Sequence, residues 1–177
     1  MSMREEMARE IRRQCEAGEL RLVEPTIPCQ QIRPIYMARA LWEKCFGAKA
    51  ENTKRMGFLD ADLRNFIHGD KVTVARELEK TCILKPLSDV DEVWEFRSRG
   101  PKPGIRIFGR FADKDVLVAT NMEYRKFLFA IRSRQFAVQI RSCQAIWTRL
   151  FPYMDPHRGE TAHDYVSNAI DLDHDVP

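Results

Sequence analysis

The chain has 177 residues, 44% of them hydrophobic and 31% charged, with a formal net charge of +3. That balance describes one folded domain with a sizeable core and argues against both a disordered chain and a membrane-spanning one. The five cysteines (15, 29, 45, 82 and 143) are odd in number, widely spaced and contain no CxxC. They read as reduced thiols of a cytoplasmic protein rather than a disulfide framework or a structural zinc site. The opening "MSMREEMAREIRRQ" lacks the apolar region of a signal peptide.

In chain order, the first element expected is a helix capped by Ser2, with Met3, Met7, Ile11 and Cys15 on one face and Gly18 at its end. After the proline-punctuated "LVEPTIPCQQIRP", a second helix is expected from near Pro34, with Ile35, Ala38, Leu41, Trp42 and Cys45 inward and Gly47 as its stop. Residues 48–57 read as a polar loop. A third helix is expected over 59–67, halted by "HGD". Val74, Leu78 and Cys82 suggest a fourth, which must finish before Pro86.

Three strands follow, over 93–99, 105–111 and 116–120, joined by "GPKPG" and "ADKD". A helix over 133–151 carries Phe136, Ile140, Cys143, Trp147 and Leu150 on one side. A polar tail with one short helix around 162–170 ends the chain. The expected class is α+β: a three- to four-stranded antiparallel sheet packed against helices on one face, in a single domain over 1–177. Residues 1–57 form an N-terminal helical extension, 58–132 the core, and 133–177 a C-terminal helix and acidic tail.

Alternation of period two divides the strands into two faces. Turns centred on "GPKPG" and on Asp113–Lys114 set Arg97 opposite Arg106, Ser98 opposite Ile105, Trp94 opposite Gly109, Phe111 opposite Val116 and Arg106 opposite Asn121. Trp94, Phe96, Ile105, Ile107, Phe111, Val116 and Val118 then form the core face, where Gly109 leaves room for the indole. The other face collects Glu95, Arg97, Arg106, Phe108, Arg110, Leu117, Ala119 and Asn121, with Arg97, Arg106 and Asn121 in a row. Opposed arginines need an anion between them, either a phosphate or an internal carboxylate such as Glu95. Five cations lie between 93 and 110 against one carboxylate, and six acids lie beyond residue 154 against Arg158. A tail lying across the basic face is therefore expected to compete with polyanions.

The stretch "LKPLSDVDEVWEFRSRG…GIRIFGRFADKDVLVATN…YRKF" resembles the RelE/ParE/HigB toxin superfamily, in its phage-derived branch, over about residues 72–130. The resemblance implies a metal-free, cofactor-free endoribonuclease that cuts mRNA by 2′-OH attack on the neighbouring phosphate. It matches Arg97, Arg106 and the pair Arg125–Lys126 to the family's basic positions; the candidate catalytic residues are Arg97, Arg106, Tyr124 and Lys126, and those for holding the nucleic acid are Arg99, Arg110, Asn121 and Arg125. RNA, including ribosome-bound mRNA, is the partner it implies, together with an antitoxin. The alternative it carries is a non-catalytic protein of a mobile element that binds a host protein such as gyrase or a defence complex, or an accessory nucleic-acid-binding protein. Thr120–Asn121 stands where many relatives have a His–Gly element. His157, His163 and His174 among the tail acids match no metal-ligand spacing.

Overall fold

The computed structural model describes residues 2–48, 50, 53–76, 82–88, 91–130 and 134–175. In chain order these form α1 (Met3–Glu16), β1 (Leu20–Leu22), β2 (Ile35–Ala38), α2 (Arg39–Phe46), α3 (Thr53–His68), β3 (Val72–Val74) and β4 (Leu84–Ser88). They continue with β5 (Val93–Ser98), β6 (Ile105–Asp113), β7 (Val116–Tyr124), α4 (Arg125–Ala130), α5 (Arg134–Leu150), α6 (Ala162–Tyr165) and β8 (Ala169–Asp171).

Several elements follow directly from local chemistry. Ser2 caps α1 in a reciprocal box: its hydroxyl accepts from the Glu5 amide at 3.3 Å, and the Glu5 carboxylate accepts from the Ser2 amide at 2.7 Å. Gly18 takes φ +72° just beyond the helix end, the left-handed conformation that favours glycine. Long-range pairing dictates the rest.

The expected three- to four-stranded antiparallel sheet is corrected by one mixed sheet of eight strands, ordered β1-β2-β7-β6-β5-β4-β3-β8. The β5–β6–β7 meander is its antiparallel centre. β2 runs parallel to β7 on one side, and on the other β3 runs parallel to both β4 and β8. Residues 35–38, expected at the start of the second helix, are β2. Val74, expected in a fourth helix, lies in β3; Leu78 lies outside the described residues. Residues 53–57, expected as loop, are the first turns of α3.

Helices cover both faces rather than one. On the first face, Leu41, Cys45, Leu59, Leu63, Phe66 and Tyr165 of α2, α3 and α6 meet Trp94, Phe96, Ile105, Ile107, Phe111 and Leu117. On the second, Met7, Ile11, Trp147 and Leu150 of α1 and α5 meet Ala112 and Val118. Beside them Cys143, Phe136 and Ile140 of α5 pack on Val93, Phe108 and Leu128. The face expected to be a wet arginine surface is thus the seat of α5, and Phe108 on it is fully buried.

The β5–β6 register agrees with the expectation, Arg97 opposite Arg106 and Ser98 opposite Ile105. The β6–β7 register does not. Phe111 opposes Leu117, Phe108 opposes Asn121, and Arg106 opposes Glu123, because the pairing shifts between Phe108 and Gly109 and again between Phe111 and Asp113. Each extra residue in one strand reverses which face the following side chains take. Val118 consequently packs with α1 and α5, and Val116 beside it, while Leu117 and Ala119 join the first core. Gly109 leaves room for the neighbouring strand and not for the indole: a Cβ there would stand 2.5 Å from the Val118 carbonyl oxygen.

The acidic tail is part of the fold. Its α6 sits in the first core, with Tyr165 4.6 Å from the Trp94 ring, and β8 closes the sheet beside β3. Asp173 accepts from the Arg76 amide at 2.6 Å and His163 pairs with Asp175 at 3.0 Å. The tail therefore does not lie across the arginines of the meander.

Candidate nucleic-acid interface

At the end of the sheet marked by the 99–104 turn, β5, β6, the last residue of β7 and the start of α4 bring six of the expected residues together: Arg97, Arg99, Arg106, Tyr124, Arg125 and Lys126. Arg97 and Arg106 face each other across the strands, and Glu95 stands between them. Its Oε2 lies 3.0 Å from Arg97 Nη2 and its Oε1 2.9 Å from Arg106 Nε. The anion that the pair requires is an internal carboxylate, itself 1% exposed.

Burial holds the Arg106 guanidinium below its ordinary pKa. Glu95 works against that shift, while Arg97, Arg125 and Arg99 add to it. The charges acting on Arg106 are therefore one carboxylate and three further arginines. Arg106 also donates through Nη1 to the Ile105 carbonyl at 3.1 Å. Arg97 reaches Cys82 Sγ at 3.1 Å, and exposed Arg99 donates to the Cys82 carbonyl at 3.1 Å. Lys85, in β4 where the sequence predicts the end of a fourth helix, joins the cluster. Burial lowers its pKa first and Arg97 second.

Around the same end an aromatic surface is interleaved with cations. The Arg125 amide donates to the Gly104 carbonyl at 2.8 Å and so fixes α4 to the turn. Exposed Lys126 places its ammonium 4.7 Å from the centre of the Phe127 ring, which is 48% exposed. The Tyr124 and Phe127 rings are 6.4 Å apart, and Arg55 of α3 stands 5.1 Å from the centre of Tyr124. Arg55 also donates to the carbonyls of Pro103 and Lys102. Phe58, 47% exposed, packs on Gly100. Arg55 and Phe58 could not be found by strand alternation because they belong to α3. Their signal was the cation and aromatic one helical turn apart, Arg55 in a segment taken as loop.

The remaining two expected residues are elsewhere. Arg110 donates to the Asp91 carbonyl through Nε at 2.9 Å and covers the Trp147 ring at 5.5 Å, and burial lowers its pKa. Asn121 donates to the Gln139 side chain of α5 at 2.7 Å and accepts from the Thr120 hydroxyl at 2.6 Å. Both tie the sheet to α5 or to its neighbouring loop.

Among the described residues no group of three or more His, Cys, Asp or Glu side chains stands where it could hold a metal ion, and no helix is long and apolar enough to cross a membrane. Comparison with protein-family models, with curated proteins and with solved structures finds no match to this chain.

Proposed function

We propose that the protein binds single-stranded RNA at the 99–104 end of its sheet. Phosphates would lie along Arg99, Arg125 and Lys126, with Arg97 and Arg106 behind them, and a base would stack on Phe127 and Tyr124. The observation that carries this reading is the cation–aromatic interleaving at Lys126–Phe127 and Arg55–Tyr124, beside a buried carboxylate held between Arg97 and Arg106. Unpaired bases present faces that stack on aromatic rings whatever their sequence, and guanidinium or ammonium groups track the backbone. RNA is chosen over DNA from the toxin-like stretch over 72–130. Scission by 2′-OH attack is not part of the proposal, because Arg97 and Arg106 hold Glu95 instead of standing ready for a phosphorane.

The test is fluorescence anisotropy with a labelled unstructured RNA at a series of salt concentrations. Affinity should fall steeply with salt as phosphate contacts release counterions. Phe127→Ala, at an exposed position, should weaken binding roughly tenfold, within the range of about 1–3 kcal/mol for a stacked base. Lys126→Ala should flatten the salt slope. The labelled RNA should stay intact on a gel. Salt-independent binding, or unchanged binding by both variants, would overturn the reading.

A further inference from the structure

Away from the cationic end, between α6, the 91–92 turn and the end of β3, a cleft of about 320 Å³ is lined by Arg76, Glu92, Trp94, Gly159, Glu160 and Tyr165. Its volume falls at the lower end of the range of small-molecule sites. Glu92 lies in it in an unusual state. The residue is 7% exposed and its backbone takes φ +52°, a left-handed conformation that a non-glycine residue adopts at a cost.

One carboxylate oxygen of Glu92, Oε2, accepts from the Tyr165 hydroxyl. The other has no hydrogen-bond partner among the described residues, and the residue lines the cleft. A carboxylate so nearly buried keeps one oxygen for a donor that enters by the cleft, and a charged donor gains more from it than water does.

Two cations beside Glu92 have partners of their own. Arg110 feels the charge of Glu92 but directs its guanidinium to the Asp91 carbonyl. Arg76 donates through Nη2 to the Glu160 carbonyl at 3.3 Å. The lining beside Glu92 is aromatic, with the Trp94 and Tyr165 rings 4.6 Å apart and inclined by 52°. An acidic acceptor flanked by aromatic rings is the chemistry that selects an organic cation. The ammonium donates to the carboxylate, and its charge is drawn to the electron-rich ring faces.

We infer that this cleft is a binding site for a small primary ammonium compound, with Glu92 as the counter-ion and Trp94 and Tyr165 as its aromatic walls. The hydroxyl of Tyr165 orients Glu92. It also accepts from the Gly159 amide at 2.9 Å, which ties the 157–160 loop to the site.

The experiment is calorimetric titration of the full chain with phenethylammonium chloride, beside 2-phenylethanol and phenylacetate as neutral and anionic counterparts. The ammonium should bind and raise the melting temperature, and the two counterparts should bind at least roughly tenfold more weakly, the loss of one charge-assisted contact. Glu92→Gln keeps the acceptor for Tyr165 and removes the charge, so it should weaken the ammonium at least roughly tenfold, leave 2-phenylethanol unaffected and, by removing a like charge, bind phenylacetate no more weakly than the wild type does. Should that variant fail to fold, Trp94→Phe serves instead, retaining an aromatic core residue while weakening the ammonium selectively. No binding of the ammonium, or equal binding of all three compounds, overturns the inference.

Discussion

Arg97 and Arg106 stand directly opposite each other across β5 and β6, and the single carboxylate of Glu95 holds both, at 3.0 and 2.9 Å. Two like charges in that position repel, and their burial removes the water that would screen them. Glu95→Gln keeps the volume and removes the neutralising charge. It should cost about 3–5 kcal/mol in urea unfolding, the range for breaking a buried ion pair from one side. Replacing Glu95, Arg97 and Arg106 together with Leu, Leu and Met should recover most of that loss. A Glu95→Gln protein as stable as the wild type would mean that water or another acid already serves the arginines.

Two glycines should respond to alanine with opposite signs. At Gly109 a Cβ would stand 2.5 Å from the Val118 carbonyl and 3.1 Å from the Ala119 Cα, both backbone atoms of a central strand. Gly109→Ala should therefore destabilise by about 1–3 kcal/mol, the cost of overpacking. At Gly57, an exposed position of α3, a Cβ meets nothing within 4 Å. Gly57→Ala should stabilise by about 0.5–1 kcal/mol through helix propensity. Paired thermal melts check both, and equal signs would contradict the geometry.

The same residues explain how much could be read in advance. The β5–β6 register was legible because strict alternation flanks a glycine–proline turn on both sides, so Ser98 could only meet Ile105. The β6–β7 register was not, because extra residues enter the ladder at two points with no mark in composition. Strands of three residues such as β3 and β8 are too short to show a period, and they are strands because they pair with each other across nearly a hundred residues. In the candidate interface, Arg97, Arg99, Arg106, Arg125, Tyr124 and Lys126 were legible as cations and an aromatic. Glu95 as their shared partner was legible only as an alternative. The covering of Val93 and Phe108 by α5 was not, although the apolar side of α5 required an apolar seat and Phe108 supplied part of it.

Removing the tail tests whether it is structure or a detachable mask. Truncation after Pro152 deletes Tyr165 and Val166, both buried, together with β8 and its pairing to β3. It uncovers Trp94 and Phe111, which pack on Tyr165 at 4.6 and 5.6 Å. The truncated chain should lose its cooperative melt and expose apolar surface to a hydrophobic dye. A truncated protein that melts like the full chain would restore the expectation of a separable acidic arm.

The hydrogen bond between Tyr165 and Glu92 should leave its mark on stability at high pH. Tyr165 is 2% exposed, and burial together with the Glu92 carboxylate beside it pushes its pKa from 10.0 up to about 12. Between those values the folded chain keeps a proton that the unfolded chain has released, so stability must fall as pH rises through that window. Two pH units correspond to about 2–3 kcal/mol. Other groups titrate in the same range, which makes the informative quantity the difference from Tyr165→Phe, where this ionisation is absent. Below pH 10 the wild type should be the more stable by about 1–3 kcal/mol, the cost of leaving Glu92 and the Gly159 amide without the hydroxyl. As pH rises from 10 to 12 that advantage should shrink and vanish, read from urea unfolding of both proteins at each pH. A gap that stays constant to pH 12 would mean that Tyr165 ionises as an ordinary phenol and that its bond to the carboxylate is not held in the folded protein.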